Sequence, residues 1–183
     1  MNNNYLPTDY QPFIATSRYA RWLEDEGRRE TWGETVHRYM RYIVYQALPS
    51  LGEPVDDYDY GALEIEIRDS ILSLQVMPSM RSLMTAGKAA DRDNTCMYNC
   101  SYLPVDDPKS FDEAMFILLC GTGVGFSVER QFITKLPDVP TLFESDTTVV
   151  IKDSKEGWAK GLRQVLALLW AGEVPKWDVS KVR

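Results

Sequence analysis

Thr95-Cys96-Met97-Tyr98-Asn99-Cys100-Ser101-Tyr102-Leu103-Pro104-Val105 leads into Ser110-Phe111-Asp112-Glu113 and then into Gly121-Thr122-Gly123-Val124-Gly125-Phe126-Ser127-Val128-Glu129, and this stretch decides the fold. Residues 95–105 mix aromatic and branched side chains and close on a proline, which reads as a strand. Ser110 with Glu113 has the spacing of a capping box, opening a helix with Phe111, Ala114, Met115, Leu118 and Leu119 as its apolar positions and Gly121 as its stop. Val124 to Glu129 reads as a second strand. Two strands joined through a helix predict parallel pairing with a crossover.

Downstream, Thr147 to Lys152 is rich in β-branched residues and predicts a third strand. Asp153 or Ser154 caps the next helix, which carries Trp158, Leu162, Val165, Leu166, Leu169 and Trp170 and stops at Gly172. No strand is read after it, so the sheet is expected to be unfinished. Upstream, residues 1–12 suggest an extended arm and Phe13 to Glu26 a short helix ending near Gly27. Thr31 or Gly33 begins a helix whose apolar residues Val36, Tyr39, Met40, Ile43, Val44 and Ala47 recur at helical spacing, with Pro49 ending it. Leu48 to Tyr60 reads as a loop, and Tyr60 to Gln75 as a helix with a stripe of Leu63, Ile67, Ile71 and Leu74, broken by Pro78. The expected division is a helical region over 1–90 and an α/β region over 91–183.

The chain has 183 residues, 44% of them hydrophobic, 11% aromatic and 26% charged, which excludes disordered and low-complexity classes. Twenty basic against twenty-seven acidic residues give a net charge of −7, and no basic block stands out, so no nucleic-acid partner is expected. The longest apolar run, Ala114 to Cys120, is far below the ~20 residues of a membrane helix, and the N-terminus lacks the regions of a signal peptide. A cytoplasmic protein without a membrane partner is expected.

Four features invite chemistry. The cluster Gly121-Thr122-Gly123-Val124-Gly125 follows a helix and precedes a strand, the reverse of a dinucleotide fold, and no Lys-Ser or Lys-Thr closes it as a phosphate loop. It reads either as a helix cap with a tight turn or as a place where backbone approaches a ligand closely. Cys100, within the first strand, is either a small buried hydrophobe or a redox thiol. Cys120 leans to core packing, and Cys96 is open. Three cysteines in a reducing compartment make no disulfide framework, and their spacing with the single His37 gives no zinc site, so no metal is expected.

Several segments together resemble the monomeric, adenosylcobalamin-dependent (class II) ribonucleotide reductases, in that family's order over about residues 18–183. They are Gly27-Arg28-Arg29-Glu30-Thr31-Trp32-Gly33-Glu34-Thr35-Val36, Met77-Pro78-Ser79-Met80-Arg81-Ser82-Leu83, Tyr98-Asn99-Cys100-Ser101, Gly121 to Glu129, and Asp153-Ser154-Lys155-Glu156-Gly157-Trp158. The resemblance implies an N-terminal helical region followed by the first strands and helices of a ten-stranded α/β barrel. It implies reduction of a ribonucleoside triphosphate to its 2′-deoxy form by thiyl-radical chemistry, with adenosylcobalamin as cofactor, a thioredoxin-type thiol reductant and a deoxynucleoside triphosphate effector. Cys100 matches the first of two cysteines that supply the reducing electrons. Ser101, Gly121, Thr122 and Gly123 would lie by the substrate.

The family's radical cysteine, its second reducing cysteine and its cobalamin motif Asp-x-His-x-x-Gly have no match here. The sequence therefore reads as an N-terminal portion of a reductase, truncated, split or interrupted by a spliced element, with the remainder of the barrel as its partner. Two other readings stay open: a stand-alone, non-catalytic nucleotide-binding or interaction module, and a fragment of an iron-dependent reductase large subunit.

Overall fold

The computed structural model describes residues 5–44 and 57–183, with side chains from residue 61 onward in the second stretch. The chain divides into two compact units, Met1–Met97 and Tyr98–Arg183.

The first unit is mostly helical. Helix α1 (Tyr10–Ile14) runs into one turn of π-helix, Ala15–Tyr19, where the chain becomes extended at Ala20. A small antiparallel hairpin follows, β1 (Trp22–Leu23) paired with β2 (Arg28–Arg29). The helix expected to reach Glu26 thus ends at Tyr19, and the arm expected over 1–12 is already helical from Tyr10. The correction has a local cause. Glu30 accepts from the Arg21 backbone N–H at 2.9 Å and donates its own N–H to the Arg21 carbonyl at 2.8 Å, which pulls Arg21 and its neighbours into an extended pairing.

Thr31 is the N-cap of helix α2 (Trp32–Tyr42) in a full capping box with Glu34. Trp32, Thr35, Val36 and Met40 form its buried face. Trp32, Val36 and Met40 pack with Leu6, Ala15, Ile71 and Leu83 in one apolar core. The expected end at Pro49 lies outside the described residues.

Among the residues of helix α3 (Asp57–Leu72) whose side chains are described, burial falls at the C-terminal end: Ile71 is 1% exposed, while Leu63 and Ile67 of the expected stripe are exposed. Leu63, Ile67 and Ile71 are spaced four apart along one side of the helix, but of these only Ile71 reaches the core cluster, and Ile65 lies off that side. The helix stops before Gln75 because Leu74 takes a left-handed φ of 63°, with Leu74 N–H bonded to the Ile71 carbonyl and Gln75 N–H to the Ser70 carbonyl. Two short helices absent from the sequence reading follow, α4 (Met80–Thr85) and α5 (Lys88–Arg92).

The second unit is α/β. Strand β3 (Cys100–Pro104) pairs in parallel with β4 (Gly123–Ser127), joined through helix α6 (Lys109–Leu119). After the short helix α7 (Arg130–Ile133), strand β5 (Phe143–Val150) pairs in parallel with β6 (Glu173–Asp178) through helix α8 (Lys155–Trp170). Ser154 caps α8, its side chain accepting from the Gly157 N–H at 3.0 Å.

Three expectations change here. Strand β3 begins only at Cys100, because Asn94–Met97 forms a 3₁₀ turn nucleated by Asp93, whose carboxylate accepts from the Thr95 N–H at 3.1 Å. Ser110 does not cap α6. Its hydroxyl donates back to the Pro104 carbonyl at 3.0 Å, while the Asp107 carboxylate accepts from the Lys109 N–H at 2.8 Å. Finally, α8 does have a strand after it, since β6 runs alongside β5.

Candidate functional site around Cys100

Helix α6 hands over to β4 through a turn that needs glycine. Gly121 has a φ of 86°; its N–H bonds to the Leu118 carbonyl at 2.9 Å, and the next N–H, of Thr122, reaches the Ile117 carbonyl at 3.2 Å. These two bonds make a Schellman cap, with Gly121 at the left-handed position. Thr122 is 1% exposed, and its hydroxyl donates to the Tyr98 carbonyl at 2.9 Å. The Gly123 N–H reaches the Asn99 carbonyl at 2.9 Å, and the Ser101 hydroxyl donates to the Gly123 carbonyl at 3.2 Å. The turn is thereby fastened, residue by residue, to the segment leading into β3.

Register does the rest. Cys100 pairs with Gly123 and Tyr102 with Gly125. Partners in a parallel pair point to the same side, so Cys100, Tyr102, Gly123 and Gly125 share one face. Cys100 is a free, exposed thiol, and Tyr102 is 64% exposed. The thiol therefore stands on a floor whose neighbouring strand carries no side chain at the two nearest positions of that face, Gly123 and Gly125.

Neither packing nor backbone geometry demands those two glycines. A Cβ on Gly123 would meet only the Asn99 carbonyl oxygen at 3.5 Å, and one on Gly125 the Ser101 carbonyl oxygen at 3.6 Å and the Tyr102 ring at 3.8 Å, all ordinary contacts. Neither glycine has a left-handed φ. The cluster divides accordingly: Gly121 serves the fold, and Gly123 and Gly125 keep the surface beside Cys100 open.

All five residues singled out from the sequence, Cys100, Ser101, Gly121, Thr122 and Gly123, fall within this one neighbourhood. Two other polar arrangements in the same unit gave no sequence signal. Asp112, on α6, is 4% exposed and accepts from Arg163 of α8 at 2.8 and 2.6 Å. Its Oδ1 is buried without a hydrogen-bond partner. Cys120 accepts from the Lys155 ammonium at 3.2 Å, and the same ammonium lies 5.0 Å from the centre of the Phe116 ring. An aspartate inside an apolar helix and a lysine thirty-five residues from a cysteine are paired only by the packing of α6 on α8.

Among the described residues no group of three or more His, Cys, Asp or Glu side chains could hold a metal ion, and no helix is long and apolar enough to cross a membrane.

No protein-family model matches the chain. It is 32% identical over 173 residues to the adenosylcobalamin-dependent ribonucleoside-triphosphate reductase of Lacticaseibacillus paracasei, a match covering 79% of this chain and 22% of that protein. With the enzyme of the same name from Lactobacillus leichmannii it shares 30% identity over 172 residues, covering 76% and 22%. The chain thus spans less than a quarter of the length of these curated relatives. Among solved structures, a crystal structure of B-12 dependent (class II) ribonucleotide reductase superimposes with a TM-score of 0.77 at 21% identity, covering 93% of this chain and 32% of that one.

Proposed function

Because the chain is related by sequence and by fold to the N-terminal portion of the class II, adenosylcobalamin-dependent ribonucleotide reductases, we propose that it forms the N-terminal part of such an enzyme and contributes one of the thiols that reduce a ribonucleoside triphosphate. The observation that carries this reading is Cys100 standing exposed on β3 directly across from Gly123. The face has room for a ribose where a side chain would otherwise be.

In this reading the ribose 2′-hydroxyl leaves as water and hydrogen takes its place. The two electrons come from two thiols, one of them Cys100, which end as a disulfide. Ser101 and Thr122 hold the backbone of the floor in position through their bonds to Gly123 and Tyr98. Gly121 sets the turn, and Gly123 admits the sugar. A thioredoxin-type dithiol in the cytoplasm then restores the thiols, and a deoxynucleoside triphosphate acts as effector.

Enzymes of this name depend on adenosylcobalamin. The cofactor and the second reducing thiol are assigned to the remainder of the barrel. Incomplete covering of the second unit supports such a partner. Its buried hydrophobic side chains are only Val105, Val149, Ile151 and Ala159, while Tyr102, Phe126, Phe143 and Trp177 are exposed.

Intact-mass analysis of the cellular protein that carries the Cys100 peptide tests the proposal. A mass several times 21.0 kDa, or a stoichiometric second chain with a reductase barrel, supports it. A species of 21.0 kDa without such a companion refutes it and leaves a binding module.

A further inference from the structure

Apart from the Cys100 face, the second unit brings a sulfur and an amine to reacting distance. The Lys155 ammonium donates to Cys120 Sγ at 3.2 Å, and near-attack arrangements place reacting atoms about 3–3.5 Å apart. Cys120 is the C-cap of α6, and Lys155 is the first residue of α8, directly after the Ser154 cap. The contact is therefore set by two packed helix ends within one unit. Phe116, one turn before Cys120 on α6, holds the lysine from a second side, with Nζ 5.0 Å from its ring centre.

As a purely structural contact the pair is a poor one. A thiol sulfur is a weak acceptor for an ammonium. The first turn of a helix is also the end at which the macrodipole disfavours a cation. Both features suit chemistry instead, since thiols beside a lysine or at a helix N-terminus are the reactive ones. Cys120 and Lys155 are only partly buried, which leaves them open to a small oxidant.

We propose that Cys120 and Lys155 form a peroxide-driven covalent crosslink, a sulfenamide, between α6 and α8. The Cys120 thiolate attacks one oxygen of hydrogen peroxide: an S–O bond forms, the O–O bond breaks, and the Lys155 ammonium protonates the departing hydroxide to water. The sulfur is oxidised by two electrons to a sulfenic acid, and Lys155 is left as the neutral amine. Its nitrogen then attacks the sulfur. The S–N bond forms, the S–O bond breaks, and the hydroxyl leaves with an amine proton as a second water. Sulfenic acids condense with nitrogen in this way. A dithiol reverses the link, restoring thiol and amine and ending as a disulfide. While it lasts, the link closes the chain between two residues thirty-five apart and fixes the end of α6 that leads into the Gly121 turn.

Peptide mass spectrometry of the full 183-residue chain after treatment with hydrogen peroxide tests this. Expected is a joined Cys120–Lys155 peptide two hydrogens lighter than the sum of its parts, lost again on treatment with dithiothreitol. The crosslinked chain should also melt at a higher temperature than the reduced one, because its unfolded state is constrained. Lys155→Arg keeps the charge but lacks the nucleophilic amine, so Cys120 should stop at the sulfenic acid, which dimedone traps. Melts of the untreated Lys155→Arg chain that match the parent separate lost chemistry from lost folding. Absence of the joined peptide in the parent chain overturns the proposal. A joined peptide heavier by one oxygen is a bridge through oxygen and overturns the condensation step. Cys120 joined to other lysines as readily as to Lys155 overturns the assignment of the pair.

Discussion

Arg38 on α2 grips Glu30 with two bonds, Nε to Oε1 at 2.8 Å and a terminal nitrogen to Oε2 at 3.0 Å, and with its remaining donors holds the Tyr19 and Ala86 carbonyls at 3.1 and 2.9 Å. Glu30 in turn accepts from the Arg21 N–H and the Thr35 hydroxyl. One ion pair thus ties the end of the π-helical turn, the hairpin, α2 and the end of α4. The Glu30 side chain is 5% exposed and that of Arg38 17%.

Arg38→Met should therefore cost on the order of 3 kcal/mol, because it strands a buried carboxylate. Glu30→Gln should cost less, since an amide oxygen still accepts from Arg21 and Thr35. Urea denaturation of the two variants measures both. Equal, small losses would show that the pair does not organise the unit.

Glu34 carries the pH prediction. Its carboxylate accepts from Arg28 at two points, both 2.8 Å, and from the Thr31 N–H at 2.7 Å. Arg28 first, and then the Thr31 backbone, lower it to about 2 from an ordinary 4.5. A depressed acid stabilises the fold above its unfolded value and loses that contribution as pH falls through its folded value. The wild-type advantage over Glu34→Gln should be full above about pH 5 and fade between 4.5 and 2. Unfolding midpoints of both proteins across that range test it, and a constant difference would refute it.

Gly157 and Gly33 make a matched pair. A Cβ on Gly157 would run into the Lys152 carbonyl, whereas one on Gly33 has nothing within 4 Å. Gly157→Ala should destabilise by ~1–2 kcal/mol, since the backbone must shift to make room. Gly33→Ala should stabilise by up to ~1 kcal/mol through helix propensity. Thermal melts of the two variants should move in opposite directions.

For the thiol, Cys100→Ser in the assembled enzyme should abolish turnover with a dithiol reductant and leave the melting curve unchanged. Multiple turnover in that variant removes Cys100 from the redox role.

For the floor beside it, Gly123→Ala should change stability by less than about 0.5 kcal/mol, because the added methyl finds only an ordinary contact. The same methyl stands where the sugar would lie, so kcat/KM of the assembled enzyme should fall at least about tenfold, a cost of ~1.4 kcal/mol in transition-state binding. Unchanged kinetics would mean the open floor is not used.

What could be read from the sequence followed from local chemistry. Thr31 with Glu34 marks the start of α2, because a capping box is complete within four residues. The strand–helix–strand order around Cys100 was legible because Gly121 ends a helix by its own backbone preference. What was missed depends on distant partners. Trp22 and Leu23 continue a helical spacing and enter a hairpin only because Glu30 draws Arg21 out. Ser110 with Glu113 has the letters of a cap, but the Pro104 carbonyl takes the hydroxyl and Asp107 does the work at the helix start. Strand β6 contains Glu173, Pro175, Lys176 and Asp178, a composition poor in strand formers, and is drawn into place by β5 alongside it. In the site, the glycine cluster and the mid-chain thiol were legible as residue types, but their facing register was not, since pairing is set by a crossover of many residues.

Among the described residues, the buried hydrophobic side chains of the N-terminal unit run from Leu6 to Ala90, so they have all been synthesised before Cys100 is added to the chain. That unit can close while translation continues, whereas β3 must wait for β4, and β5 for β6, each on the far side of a whole helix. The order of synthesis thereby gives the ribosome a finished N-terminal body first and leaves the sheet that carries Cys100 to a later step.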